Sequence, residues 1–360
     1  MRAELLMIRK RWDHMGLQSG SDLLCEQLAN SMSTQSLIIN QTNIPQKGIG
    51  QRMMERFKIM PKENLWSNQL CSINGIKEIY VFEKAVNLLN KYPDLRLFVS
   101  CAEEQLTRRV NNLKPLIKKR IYVLLHQPVV WIENEGDFIR HLNGLGGVFV
   151  FSKQMKSYLD QLIDAPIVSI MHGVDMDFFN PGTSQITRNS KSIICVGNWF
   201  RDFELLSNCW SHLHQFDQDL KLTLISSSEA LKDIWFQKLI QQPNVVHKTG
   251  LESIQLLEAY QTSCLHLLPL LDGVANNALV ESLATGCPVL TTNTGSVNEY
   301  LPQDHFGLAK KGDVEDHYLK TISLLSNSDM RNDIALKQRQ FAMNHLSWQN
   351  IGQQVMSALA

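Results

Sequence analysis

Between Leu267 and Gly295 the chain reads LLPLLDGVANNALVESLATGCPVLTTNTG, two apolar runs separated by an insert with an Asp, a Gly, two adjacent Asn and a Glu. These residue types, in this order, can hold a phosphorylated ligand. Asn276 and Asn277 stand where a short helix opens, and the free N–H groups and dipole of a helix N-terminus favour phosphate. Gly273 permits close approach of the backbone. Glu281, about one turn further in, can accept hydrogen bonds from paired hydroxyls such as those of a ribose. Asp272, Gly273, Asn276, Asn277 and Glu281 together suit a nucleoside diphosphate. Taken alone, the same stretch could equally be a capped helix carrying a solvated Glu.

Such an insert needs elements to position it. Short Val-, Ile- and Leu-rich runs alternate with amphipathic segments along the chain: LLMI, SLIIN, LRLFVS, IYVLLHQP, GGVFVFS and APIVSIMHGVD, then SIICVGN, LKLTLIS, NVVHKTG, CLHLLPL and PVLTTN. Apolar strands without strict alternation are those buried on both faces of a parallel sheet. Strand and helix in turn predict an α/β chain of two Rossmann-like, doubly wound domains facing across a cleft. The stretch 175–191, dense in Pro, Gly, Ser, Thr and Asn, is the predicted linker. It separates an N-terminal domain, 1–174, from a C-terminal domain, 192–344, and 345–360 is expected to form a helix that packs back on the first domain. In open sheets ligands sit beyond the carboxyl ends of the strands, which is where the insert falls.

The bulk numbers agree with two cores, since 360 residues are long for one. Formal charge is zero, with 22 Lys and Arg against 18 Asp and Glu in residues 1–180 and 13 against 17 beyond. That asymmetry is too mild to indicate nucleic acid. The seven cysteines form no CxxC pair and are expected to be reduced core thiols that make no metal cluster with the eleven His. The N-terminus lacks a signal-peptide pattern and no run reaches the roughly 18 apolar residues of a membrane span, so a cytoplasmic chain is expected. The Asp-x-Asp triplets at 175–177 and 217–219 lie in the linker and at a helix end and support no metal site. The glycines of LNGLGGV (142–148) precede a strand, the wrong context for a dinucleotide fingerprint. The stretch 103–120, with Arg108, Arg109, Lys114, Lys118, Lys119 and Arg120, is expected to be a basic helix, either a solvated face or a contact for an anionic membrane surface.

Several landmarks in order resemble the retaining glycosyltransferases of the glycogen-synthase-like family 4, with the glycosyltransferase-B fold: IMHGVDMDFFNP (170–181), ICVGNWFRDFELL (194–206), LLEAYQTSCLHLLPL (256–270), ALVESLATGCPVLTTNTGSVNEYL (278–301) and HLSWQNI (345–351). The resemblance implies an acceptor-side N-domain and a nucleotide-sugar-binding C-domain. It makes Glu281 the second, ribose-binding Glu of the family's Glu-x7-Glu motif and Arg201 a diphosphate-binding cation, in a loop that lacks the family's usual Lys. The first Glu is replaced: Gly273 stands eight positions before Glu281, and the nearest acid is Asp272. A subset with an Ala-Asn-Asn insert shares this arrangement, which implies either that Asp272 takes the catalytic place, reaching the donor sugar from a slightly different backbone position, or that backbone amides fill that role. His126, after YVLL, matches the acceptor-side histidine that orients or polarises a hydroxyl. Ser19, Gly20 and Ser21, in WDHMGLQSGSDLL (12–24), match a turn against the diphosphate or acceptor, or else an N-cap. The implied reaction moves a sugar from a nucleoside-diphosphate-sugar to a hydroxyl of a sugar, lipid or small-molecule acceptor. It proceeds with retention and without metal or cofactor. A donor-only epimerase or hydrolase on the same fold, and a non-catalytic sugar-nucleotide-binding protein, are the alternatives. Donor base, sugar and acceptor depend on loops such as 41–66, which carry no readable code.

Overall fold

A computed structural model describes residues 4–10, 18–31, 36–41, 71–76, 78–135, 137–183, 186–274 and 276–359. Most of the specificity loop (42–66), residues 12–17 of the N-terminal loop and Ala275 of the insert lie outside the described residues. Unit 1 comprises 1–15, 21–170 and 351–360, and unit 2 comprises 16–20 and 171–350.

Unit 1 is one seven-stranded sheet built from β1 (Leu5–Lys10), β2 (Ser36–Gln41), β3 (Cys71–Ile76), β4 (Arg96–Val99), β5 (Ile121–Leu125), β6 (Gly147–Val150) and β7 (Ile167–Ser169). The spatial order is β3-β2-β1-β4-β5-β6-β7 and every pairing is parallel. The order therefore reverses between β1 and β4. Leu6, Ile8, Val99, Val123 and Val148 are fully buried in the main core of this unit, as unalternated apolar strands require. The strand β3, NGI with a Cys and a Ser, has no apolar run and escaped sequence reading.

The expected basic helix is not continuous. The chain forms α1 (Leu23–Ser31) after β1, and in the basic stretch a short helix α2 (Ala102–Gln105) is followed by a 3-10 turn at Arg108–Asn112 and one helical turn at Pro115–Lys118. Pro115 begins that last turn rather than breaking a long one, because its missing N–H costs nothing at a first helical position. The charges are also partly spent. Arg109 pairs with Glu83, Lys118 donates to the Asn143 carbonyl, and Arg120 donates to the carbonyls of Leu89, Tyr92 and Leu95. No helix of the described residues is long and apolar enough to cross a membrane.

Unit 2 carries β8 (Asn189–Val196), β9 (Lys221–Ile225), β10 (Val245–Lys248), β11 (Ser263–Leu268), β12 (Val289–Asn293) and β13 (Leu308–Lys310) in the order β10-β9-β8-β11-β12-β13, again all parallel. Here the reversal falls between β8 and β11. Separate apolar cores form in this unit, one around Tyr260, Leu268 and Leu279 and one around Trp210, Leu222 and Phe236. The stretch expected as a linker, 175–191, is packed into this unit: Phe179 is fully buried against Tyr260, and residues 189–191 already belong to β8. Asp175 caps the turn by accepting the N–H groups of Asp177 and Phe178.

Two landmarks far apart in sequence meet here. The Val174 N–H donates to the Leu346 carbonyl at 2.7 Å, and the rings of His172 and Trp348 lie 5.1 Å apart. A Cβ on Gly173 would meet the Trp348 indole at 2.3 Å, so this contact requires glycine. Helices α3 (Ser253–Thr262) and α4 (Asn277–Ala284) flank β11. The terminal helix α5 (Trp348–Leu359) belongs to unit 1 from Ile351 onward, where Arg96 donates to the Leu359 carbonyl and Gly352 lies against Gln27.

Candidate active site

In unit 2 the loops after β8 and β11 meet at the reversal point of the sheet, the usual ligand position in open α/β sheets. They are stitched together. Leu271 donates to the Phe200 carbonyl at 3.0 Å and Asp202 to the Pro269 carbonyl at 3.1 Å, while Arg201 and Leu270 form an isolated antiparallel bridge. Phe200 holds a φ of 54°, unusual for an aromatic residue. Its neighbour Trp199 is 64% exposed. Both line an open pocket of about 220 Å³ with Asn198, Arg201, Glu229 and Asp233.

Arg201 is buried and turned into its own loop. Its Nε donates to the Val196 carbonyl at 2.8 Å and its Nη1 to the Trp199 carbonyl at 2.9 Å. Gly197, at φ 87°, leaves room for the guanidinium, since a Cβ there would meet Nη2 at 2.5 Å. The expected diphosphate cation thus also braces the loop, an anchoring role that residue type alone does not reveal.

Helix α4 opens at Asn276, whose side-chain oxygen accepts the Leu279 N–H at 2.9 Å. Its carboxamide is therefore an N-cap, and what it leaves for a ligand is the amide NH2 and the helix end itself; Asn277 is the first helical residue and is half-buried. Asp272 is half-buried and its Oδ1 accepts the Gly273 N–H at 2.7 Å. A Cβ on Gly273 would meet only ordinary contacts, whereas one on Gly295, at φ 52°, would strike the Gly273 carbonyl at 2.1 Å. Gly295 is thus the glycine this loop requires internally.

Glu281 is not a solvated helix residue. It is 3% exposed, its Oε1 accepts the Ser19 hydroxyl at 2.6 Å, and its Oε2 accepts the Tyr260 hydroxyl at 3.1 Å. Burial pushes its carboxyl up to about 7, opposed by the Ser19 and Tyr260 hydrogen bonds and the Arg201 charge. Tyr260 and the fully buried His266 were missed by sequence reading. His266 Nε2 accepts the Val196 N–H at 3.3 Å, and burial beside Arg201 holds its ring well below the ordinary range, hence neutral. Tyr260 lies on the buried face of α3, and the helical phase of LLEAYQ was the signal available.

In unit 1 the loops after β1, β4 and β5 carry a second constellation. Ser21 Oγ lies 2.6 Å from His126 Nε2, and Glu103, at the start of α2, lies beneath His126. Its Oε1 accepts the backbone N–H groups of His126 and Gln127 at 2.5 and 2.9 Å, and its Oε2 stands 3.5 Å from Nδ1. Glu103 was read only as part of a basic helix, although its place just after a strand end was a usable sign. The expectation that cysteine and histidine form no cluster needs correction: Cys101, Glu103 and His126 bring donor atoms within 4.8 Å of one another. The three would be the donors for a cation among the described residues. Six cysteines are free and buried. Gly20, at φ 110°, turns the chain between Ser19 and Ser21, and the two serines serve different partners.

Residues 190–327 match the family of glycosyl transferases group 1. Over these residues the chain is similar to that family. The activity class that follows is glycosyl transfer, so the chain is an enzyme of that class. No curated protein matches the sequence. Solved structures share the fold along nearly the whole length. A sucrose-phosphate synthase from Thermosynechococcus elongatus superposes with a TM-score of 0.73 at 13% identity, covering 99% of this chain and 98% of that one. Anabaena HepE, in complex with UDP and glucose, gives 0.71 at 13% identity with 99% of each chain covered. WaaG, a glycosyltransferase of lipopolysaccharide biosynthesis, gives 0.66 at 11% identity with 99% of each covered. The architecture is the two-Rossmann glycosyltransferase-B type.

Proposed function

We propose that the chain transfers a hexose-like sugar from a nucleoside-diphosphate-sugar to an acceptor hydroxyl, with retention at the anomeric carbon and without a metal. The observation that carries this reading is the convergence, at the β8/β11 reversal, of a buried arginine, an open helix N-terminus and a buried carboxylate whose present partners are hydroxyls. A ribose offers hydroxyls of the same kind as Ser19 and Tyr260, and α4 offers N–H groups to a diphosphate. That HepE binds UDP and UDP-glucose supports the same ligand class here.

In this reading the bond from the anomeric carbon to the diphosphate breaks while the bond to the acceptor oxygen forms on the same face. The acceptor proton passes to the departing diphosphate oxygen. Arg201 and the N-terminus of α4 stabilise the developing charge. Asp272 lies beside the sugar, Gly273 lets the backbone approach it, and His126 orients a hydroxyl. The membrane contact proposed for 103–120 rests on Arg108, Lys114, Lys119 and the 80%-exposed Leu116. The location of the chain in the cytoplasm and any peripheral membrane association belong to the same proposal.

A thermal-shift screen against a panel of nucleoside diphosphate sugars, with and without Mg²⁺, tests it. Selective, metal-independent stabilisation is expected, lost in Glu281→Ala and weakened at least tenfold in apparent affinity in Arg201→Ala. Binding should also strengthen as pH rises through about 7, where Glu281 ionises. Unchanged binding in both variants would sink the assignment.

A further inference from the structure

We propose that Glu103 is a positioning residue for His126: it fixes the imidazole with its proton on Nδ1, so that Nε2 is the acceptor nitrogen facing Ser21. This rests on the transferase reading only for the use made of His126, not for the link itself.

Three neighbouring strands build the arrangement. β1 leads to Ser21, β4 to Glu103 and β5 to His126, and the three strands are adjacent in the sheet. Glu103 is anchored first by the backbone. With its side chain 3% exposed, its Oε1 takes the N–H groups of both His126 and Gln127, so the carboxylate cannot swing away without giving up two backbone donors. That anchoring leaves Oε2 facing the ring, 3.5 Å from Nδ1 and 3.7 Å from the Cys101 thiol, which donates to it. A carboxylate is an acceptor only, so the nitrogen facing it is the one that carries hydrogen. The other nitrogen then has a lone pair, and the Ser21 hydroxyl 2.6 Å away is the donor to it. Phe151, buried, meets the imidazole edge-on with centroids 5.3 Å apart and limits its rotation.

The decisive variant is Glu103→Gln. Its carbonyl oxygen can still accept the two backbone N–H groups, while its NH2 now faces Nδ1 and forces the proton to Nε2. Histidine-labelled full-length protein, with His126 assigned by its loss in His126→Gln, reads the tautomer directly through long-range ¹⁵N–¹H couplings at pH 8. The expected result is Nδ1–H in the wild type, Nε2–H in Glu103→Gln, and Nδ1–H again in Glu103→Asp. With the nucleotide sugar found by the donor screen, Glu103→Gln should lower kcat at least tenfold with donor KM changed by less than threefold, and Glu103→Asp should recover part of the loss. An unchanged tautomer, or a switched tautomer with unchanged kcat, overturns the proposal. Because the tautomer is read without substrate, failure to find any donor would count against the transferase reading and leave this test standing.

Discussion

Glu281 in unit 2 and Glu103 in unit 1 are both buried carboxylates at the carboxyl edge of a parallel sheet, yet they are pushed in opposite directions. Glu281 is held by two hydroxyls, Ser19 and Tyr260, with Arg201 acting only through space, and burial wins: the carboxyl rises to about 7. Glu103 receives two backbone N–H groups and faces an imidazole, and these outweigh burial. The difference shows that burial does not by itself set the state of an acid; the fixed donors aimed at it do. It also separates two kinds of work. A carboxylate satisfied by hydroxyls can exchange them for a ligand's hydroxyls, whereas one tied to backbone N–H groups is structural support for its neighbour.

The largest effect expected from breaking this contrast is on stability. Glu103→Leu leaves the His126 and Gln127 N–H groups without their acceptor and should cost about 4 kcal/mol, whereas Glu281→Leu at pH 8 should cost only about 1 kcal/mol. Thermal and urea unfolding of the two variants side by side measures the gap, and equal losses would erase the distinction. The next effect is a pH slope. In the fold Glu281 keeps its proton at pH 5 to 6, where an unfolded carboxyl of ordinary pKa 4.5 has released it. The folded state binds more protons there, so this contribution is complete below 4.5 and is lost as pH rises through about 7. The span is worth about 3 kcal/mol. Glu281→Gln should flatten the fall in stability between pH 5 and 8. The lowered Glu103 has the opposite sign, its contribution being lost only as acid brings the pH down through its depressed value. The smallest effect is that of Ser19→Ala, which removes a donor favouring ionised Glu281. It should move the midpoint of the pH–stability curve to higher pH at a cost of about 1 kcal/mol; a shift to lower pH would show that Ser19 does not donate to Glu281.

Much of this was legible beforehand because the signals are local. The apolar runs LLMI, IYVLL and SCLHLL name strands, since a strand buried on both faces has no polar positions to hide. The insert from Asp272 to Asn277 declared a helix N-terminus, and Asn276 caps it. Other features were illegible for equally physical reasons. CSINGI has no apolar signature, so β3 could not be read. The run 103–120 has helical composition, yet Arg120 donates to carbonyls of the neighbouring helix and loop and Arg109 pairs with Glu83.

The sequence by itself determined the α/β class, the elements that carry the insert, and the residue types gathered at the end of β11, because propensity, capping and apolar patterning act over a few residues. Only the tertiary structure decided that Tyr260 and Ser19 close on Glu281, that Arg201 braces its own loop, and that Glu103 lies beneath His126. Those contacts join residues up to 262 positions apart, and no local pattern encodes them. The chemical state of each acid follows from those neighbours.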